Sequence, residues 1–371
     1  MNVLIAADSF KDSLAAPQVC QAIQRGVQLA APDAATQILP LADGGEGTAR
    51  ILTDHLHGQW IEIEVSDPLF RPIRAGYGLS ADGKTAFIDM AQASGLELLA
   101  PDERDPLLTT SYGTGQLIQH AKEQGAEKIL LGIGGSATND AGMGMAIALG
   151  YSFLDEEGFA LQGVGGNLIH IRTIRPPVHL DLPQIDVLCD VQNPLYGPQG
   201  AAHVFAAQKG AGPLAIEQLD EGLQHLTQIW PPHTGPQLAL EPGTGAAGGL
   251  GFGTRAFLNA TLRPGIATIL ELLHFEEALK QCDLLLTGEG RIDEQTLQGK
   301  LIKGLTFIAA NYNKPVVALC GSLQADPATI KRLGLKAAFS ILRQPTDLQT
   351  ALKHTAADLE HLAFNIIRIM K

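Results

Sequence analysis

Both ends of the chain carry a rhythm that few folds can satisfy: a short apolar run, a polar glycine-rich loop, then an amphipathic stretch, repeated. From the N-terminus it reads strand "NVLIAA", loop "DSFKDS", a helix from about Ala15 to Ala30, strand "ATQILPLA", loop "DGGEGT" and a helix to about His57. Pro17 in a first turn and Gly58 after a last one agree with helix start and stop chemistry. From Cys282 the rhythm returns as strand "CDLLLTG", loop "EGRIDEQT", helix, strand "PVVALCG", helix, strand "AAFSIL" and a final helix. Strands joined through helices must run parallel, because a parallel pair needs a long crossover. Five such steps, split between the chain ends, predict one parallel three-layer α/β domain.

The intervening residues differ in texture, opening with extended segments in "WIEIEVSDPLFRPIRAGYGL" before helices and two more buried strands. This predicts a discontinuous domain over 1–65 and 281–371, with a second, mixed α/β domain over 66–280 inserted in it and ligands held in a cleft between the two. The length of 371 residues suits two cores, and 45% hydrophobic residues with 41 glycines suit buried strands and tight strand-to-helix turns.

One stretch inside the insertion, "GLSADGKT" (Gly78 to Thr85), fits the phosphate-loop pattern GxxxxGK[ST]. That motif needs a helix after it, so that backbone N–H groups and a helix N-terminus hold the phosphates. After Lys84 the chain instead reads "TAFIDMA", which alternates like a strand, and "PIRAGYGL" before the turn is extended as well. With Asp82-Gly83 between them, the expectation is a β-hairpin closed by a tight turn with positive φ angles, and nucleotide binding by other loops.

A net charge of −13 argues against a nucleic-acid or anionic-membrane surface, both of which need clustered Lys and Arg. The N-terminus enters a strand with no basic leader, and no apolar run reaches the roughly 20 residues of a membrane span. A cytoplasmic protein with small-molecule partners is expected; the oligomeric state is not legible. Cys20, Cys189, Cys282 and Cys320 form no CxxC pair and read as reduced thiols. His55 and His57 are two apart and, on a helix, point to different faces, which reads as surface.

In open α/β sheets ligands bind beyond the carboxyl ends of strands. Those places are unusually polar here: Asp8, Ser9 and Lys11; Asp43, Gly44, Gly45 and Glu46; Glu289, Arg291 and Asp293; Ser136, Thr138, Asn139 and Asp140 in "KILLGIGGSATND"; Asp190 and Asn193 in "IDVLCDVQNP". Any one of them could cap a helix or order a turn. Two carboxylates in one loop, as in Asp43/Glu46 and Glu289/Asp293, go beyond capping and suit a hard cation such as Mg²⁺, which takes one or two carboxylates plus substrate phosphates. The loop Gly134, Gly135, Ser136, Thr138 and Asn139 is a candidate phosphate cradle. Lys11 and Arg291 are candidates for meeting anionic groups, and Asp190, with no second acid in its loop, is the candidate general base.

"GIGGSA" also fits the dinucleotide pattern GxGxxA, with Asp155 about twenty residues on, so a nicotinamide-dependent dehydrogenase of a small hydroxy acid is the rival reading. "GTGAAG" (Gly243 to Gly248) fits too, but Pro242 spoils the strand it needs. A serine hydrolase fares worse, because "GGSAT" lacks the second Gly of GxSxG. A metal, a phosphate cradle and a few cations form a phosphoryl-transfer kit.

Taken together, "DSFKDSL", "LADGGEGT", "LTTSYGTG", "GIGGSATNDAGMG", "CDVQNPLYGPQGA", "GAAGGLGFG" and "TGEGRIDEQTLQGK" resemble the bacterial type I glycerate kinase family, in order over residues 8 to 300. The resemblance implies ATP as co-substrate, Mg²⁺, D-glycerate as acceptor, phosphoglycerate as product, and a flavodoxin-like domain with a second domain inserted. One departure is "VFAAQKGA", where relatives carry Gly-Pro at Ala206 and Ala207, which bears on the local turn rather than on Lys209.

Overall fold

The computed structural model describes residues 1–42, 44–45, 47–297 and 301–370, and of Gln295 the backbone alone. The described strands are β1 (Asn2–Ile5), β2 (Ala35–Ile38), β3 (Gln59–Ser66), β4 (Pro72–Leu79), β5 (Thr85–Asp89), β6 (Lys128–Gly132), β7 (Ser152–Leu154), β8 (Thr173–Arg175), β9 (Gln184–Leu188), β10 (Thr261–Arg263), β11 (Leu284–Ile292), β12 (Val316–Leu323) and β13 (Ala337–Ser340). The chain divides into two compact units, Met1–Asp43 with Ile266–Lys371, and Gly44–Gly265.

The first unit is built on a five-stranded sheet of order β13-β12-β11-β1-β2, every pair parallel. Read from the other edge and counted within the unit, that is 2-1-3-4-5, the flavodoxin-like order. Successive β1 residues Val3, Leu4 and Ile5 are all buried, so helices cover both faces of the sheet, as a parallel sheet requires. On one face the helix Ala16–Ala30 presents Val19, Cys20, Ile23 and Val27 to Val3, Ile5 and the C-terminal helix Leu348–Met370. Its start is fixed by Pro17 and by the Gln18 side-chain carbonyl, which accepts the Ala15 N–H at 3.2 Å.

The second unit has a six-stranded sheet of order β10-β9-β6-β5-β4-β3 and a small β7-β8 pair. β5, β6, β9 and β10 run parallel, while β4 and β3 are antiparallel additions at one side. Ile61, Ile63 and Val65 of β3 turn inward and Glu62 and Glu64 outward, the alternation of an edge strand with one wet face.

The boundaries therefore fall at 43/44 and 265/266 rather than at 65/66 and 280/281. β3 pairs with β4 along its whole length, Gln59↔Leu79 to Ser66↔Pro72. The helix Thr48–His55 goes with it, because its Ala49 N–H is held by the Asp89 carboxylate at 3.1 Å. At the other boundary the helix Phe275–Gln281 is tied to the first unit, where the Asn2 side chain donates to the Gln281 carbonyl and Lys314 Nζ to the Lys280 carbonyl.

"GLSADGKT" is a hairpin: Gly78↔Phe87 and Leu79↔Ala86 are antiparallel partners, and Ser80 N–H donates to the Thr85 carbonyl at 2.8 Å. The turn is longer than the two residues expected. Gly83 alone has positive φ, and the Asp82 carboxylate closes the loop by accepting from Ser80 Oγ and Lys84 N–H. Cys20, Cys282 and Cys320 are buried thiols and Cys189 is half-buried; all four are unbridged. No helix among the described residues is long and apolar enough to cross a membrane.

Candidate active site

In the first unit the polar residues gather at the carboxyl ends of β1 and β11. These strands are adjacent at the point where the strand order reverses, the place where such sheets bind ligands. Asp8 N–H donates to the Gly288 carbonyl at 3.0 Å, and the chain then makes a tight turn from Phe10 to Leu14 that exposes Lys11. The Lys11 backbone nitrogen lies 3.6 Å from where a Cβ on Gly290 would stand, so the two segments run side by side.

Glu289 and Arg291 do not sit in a loop. β11 continues through Ile292, still paired with β12 at Arg291↔Ser322 and Ile292↔Leu323. Alternation puts Glu289, Arg291 and Asp293 on one side and buries Ile292 on the other. Arg291 Nε meets Asp293 Oδ2 at 2.7 Å, and its Nη2 donates to the Gln324 side chain at 2.9 Å. Thr296 Oγ1 donates to Glu289 Oε1 and accepts the Asp293 N–H, both at 3.1 Å. The intended anion binder and one intended metal ligand are thus an ion pair, 60% and 14% exposed.

The second unit gathers a different set at the carboxyl ends of β5, β6 and β9. Gly134 packs so closely on Gly45 that a Cβ would stand 2.6 Å from its Cα, and Gly135 has φ +75°, so both positions require glycine. Beside them Asp190 Oδ1 accepts the N–H of Gly265 at 2.9 Å, and Asn193 Nδ2 donates to the Gln199 carbonyl at 2.8 Å. Asp43 and Glu46, expected as metal ligands, lie outside the described residues.

Of the candidate cradle, only Gly134 and Gly135 reach solvent. Ser136 is 7% exposed, and Thr138 and Asn139 are fully buried, so their side chains are out of a ligand's reach in this structure. Thr138 Oγ1 and both Asn139 side-chain polar atoms have no hydrogen-bond partner among the described residues. Asp140 is fully buried too, and accepts from Ser111 N–H and Oγ, Gly142 N–H and Gly144 N–H at 2.7–3.1 Å. Burial raises its carboxyl above the usual range against the pull of those bonds.

Two participants carry little or no signal in the sequence. Asp89, at the end of "TAFID", obeys the strand-end rule but sits in a segment that reads first as half of a hairpin; its carboxylate anchors the helix that follows Gly44–Gly45. Lys209 lies in the core, where hydropathy gives no signal for a lysine. Its Nζ donates to Ser136 Oγ at 2.8 Å and to the Thr138 carbonyl at 2.6 Å. Burial lowers its ammonium pKa to about 7, with the Asp140 charge acting in the opposite sense.

The dinucleotide reading loses its footing here. "GIGGSA" follows β6, but the next helix begins only at Met143, so no helix N-terminus stands behind the glycines. Asp155 Oδ1 closes its own turn by accepting from Glu157 and Phe159 N–H.

Glu289 and Asp293 present carboxylates on one side of β11, with the Thr296 hydroxyl joining the Glu289 carboxylate to the Asp293 backbone N–H, and two such carboxylates fit a cation of the Mg²⁺ type, which needs few protein ligands. Among the described residues no group of three or more His, Cys, Asp or Glu is arranged to hold a metal ion.

Residues 3–371 match the profile of the glycerate kinase family. The chain is 44% identical to a glycerate kinase of Haemophilus influenzae, covering 100% of this chain and 99% of that one. It is also 44% identical to a glycerate 2-kinase of Escherichia coli, over 95% and 93% of the two chains. A crystal structure described as a glycerate kinase 2 from Salmonella typhimurium LT2 superimposes with a TM-score of 0.84 at 44% identity, covering 100% of this chain and 98% of that one. With sequence, strand order and whole-length likeness in agreement, the chain belongs to the glycerate kinase family.

Proposed function

We propose that this protein transfers the γ-phosphoryl group of ATP to D-glycerate in the cytoplasm, giving 2-phosphoglycerate and ADP with Mg²⁺ as the metal. The observation that carries the reading is the family match along the whole chain together with the charged set at the switch point of the flavodoxin-like sheet. Phosphoryl transfer asks the protein chiefly to position reactants and offset charge, and Lys11, Arg291, Glu289 and Asp293 are the right residue types for that. Glu289 and Asp293 would hold Mg²⁺, which would supply charge neutralisation at the phosphates. Arg291 leaves Asp293 for an anionic oxygen of the substrate, Gly134 and Gly135 offer backbone N–H groups, and Asp190 accepts the hydroxyl proton.

The acceptor oxygen is assigned from likeness to the relative named a glycerate 2-kinase. Coupled ADP release with D-glycerate tests the activity; no release with D-glycerate and Mg²⁺ sinks it. Proton-coupled ³¹P NMR of the product tests the position. A phosphate on O2 couples to one methine proton and gives a doublet, whereas one on O3 couples to a methylene and gives a triplet.

A further inference from the structure

Lys209 ends a short 3₁₀ turn, Ala207–Lys209, and is 2% exposed. An ammonium is among the costliest groups to remove from water, and an apolar side chain of the same length would fill the space without that cost. Both of its hydrogen bonds run to one segment, the Gly134–Asn139 loop. That loop is irregular backbone with few other ties: Leu96 N–H to the Gly135 carbonyl, Ala137 N–H to the Ser94 carbonyl, and Thr109 Oγ1 to the Ala137 carbonyl. Among the described residues the Thr138 and Asn139 side chains have no hydrogen-bond partner. At the centre of the loop the ammonium is the group that links Ser136 to Thr138. Its burial keeps it from touching a ligand itself.

We infer that Lys209 is a positioning residue for phosphoryl transfer: from beneath, it fixes the Gly134–Asn139 loop in the shape in which the exposed Gly134–Gly135 backbone meets the substrate. This rests on the reading of Gly134–Gly135 as ligand-facing. Ser136 is then held by the interior rather than offered to the ligand, and the loop's shape depends on a buried amino group that no substrate contacts.

The test is Lys209→Met, which keeps the length of the stem and removes the donors. At pH 7 and below, where the wild-type ammonium is charged, it is expected to fold with a Tm equal to or above wild type, since no charge is buried. Its kcat/KM is expected to fall by about 10- to 100-fold, with KM rising for one substrate and not the other. Wild-type kinetics in the folded variant overturn the inference, as does a loss that only tracks the fraction folded. If Lys209→Met does not fold, Lys209→Ala is assayed with added n-propylamine and, as control, n-propanol. Recovery with the amine alone supports the inference; no recovery, or a chain that cannot fold without the ammonium, makes Lys209 a fold residue and overturns it. Gly135→Ala separates this from the underlying reading. Wild-type kinetics there remove the cradle, whereas wild-type kinetics in Lys209→Met remove only the role of Lys209.

Discussion

Asp190 Oδ1 holds the first N–H of the helix Gly265–Leu272, which makes it an anchor as well as a candidate base. Asp190→Asn separates the roles, because an amide oxygen still accepts that N–H but takes no proton. If Asp190 receives the hydroxyl proton, kcat falls by about 10² to 10⁴ while Tm holds. Unchanged turnover leaves it an anchor alone. Lys209 makes a prediction about stability. In the unfolded chain its ammonium keeps its proton up to the ordinary value of 10.5, whereas the folded form releases it near about 7. Between those values the unfolded state binds more protons, so this group makes stability rise with pH across the window; below it both states are charged and the burial cost is present in full. The Tm of wild type minus that of Lys209→Met should therefore climb from about pH 7 to 9. Cys20 and Cys320, pushed up to about 12, act in the opposite sense at higher pH but are common to both proteins and cancel. A flat difference means that the folded ammonium keeps its proton.

At the scale of elements, the β4–β5 hairpin shows how a matching motif can be emptied by its surroundings. Lys84 sits beyond a loop with no helix behind it and pairs with Glu127 at 3.0 Å, both side chains more than half exposed. Lys84→Ala should leave KM for ATP within about twofold of wild type, since a screened surface pair holds nothing in place. A rise beyond about tenfold restores the phosphate loop. The hairpin and the strand-helix steps are legible in the sequence because they depend on local periodicity and on residues such as Pro17 and Gly83. The true end of β11 is not: two glycines and three charges in "GEGRID" suggest a stop near Gly288, yet pairing with β12 carries the strand to Ile292. The membership of β3 is hidden for a similar reason. It is decided by register with β4, a relation between segments that periodicity does not contain. The site divides in the same way. Strand-end residues can be picked out from sequence, but not which of them are buried, nor that Arg291 and Asp293 pair, nor that a lysine lies beneath the glycine loop.

On the scale of the whole molecule, the second unit is an insertion whose two ends meet. Its first and last residues are neighbours: a Cβ on Gly44 would lie 3.8 Å from the Gly265 Cα. The chain enters and leaves the unit at one place, which is the geometry that tolerates insertion and excision. The unit holds its own sheet and a continuous core that includes Ile88, Ile129, Leu131, Val187, Leu250 and Phe252. Its terminal contacts are internal as well, since Asp190 takes the Gly265 N–H and Asp89 the Ala49 N–H. We therefore expect residues 44–265, expressed alone, to fold cooperatively without kinase activity, because Lys11, Glu289, Arg291 and Asp293 belong to the other unit. With the ends so near, residues 1–43 and 266–371 joined by about three or four linker residues should close the flavodoxin-like sheet, as each extended residue spans roughly 3.3–3.6 Å. Thermal unfolding monitored by circular dichroism checks both fragments. A 44–265 fragment that shows no cooperative transition, while the linked remainder does, would make the insertion dependent on its host and end the description of it as a domain in its own right.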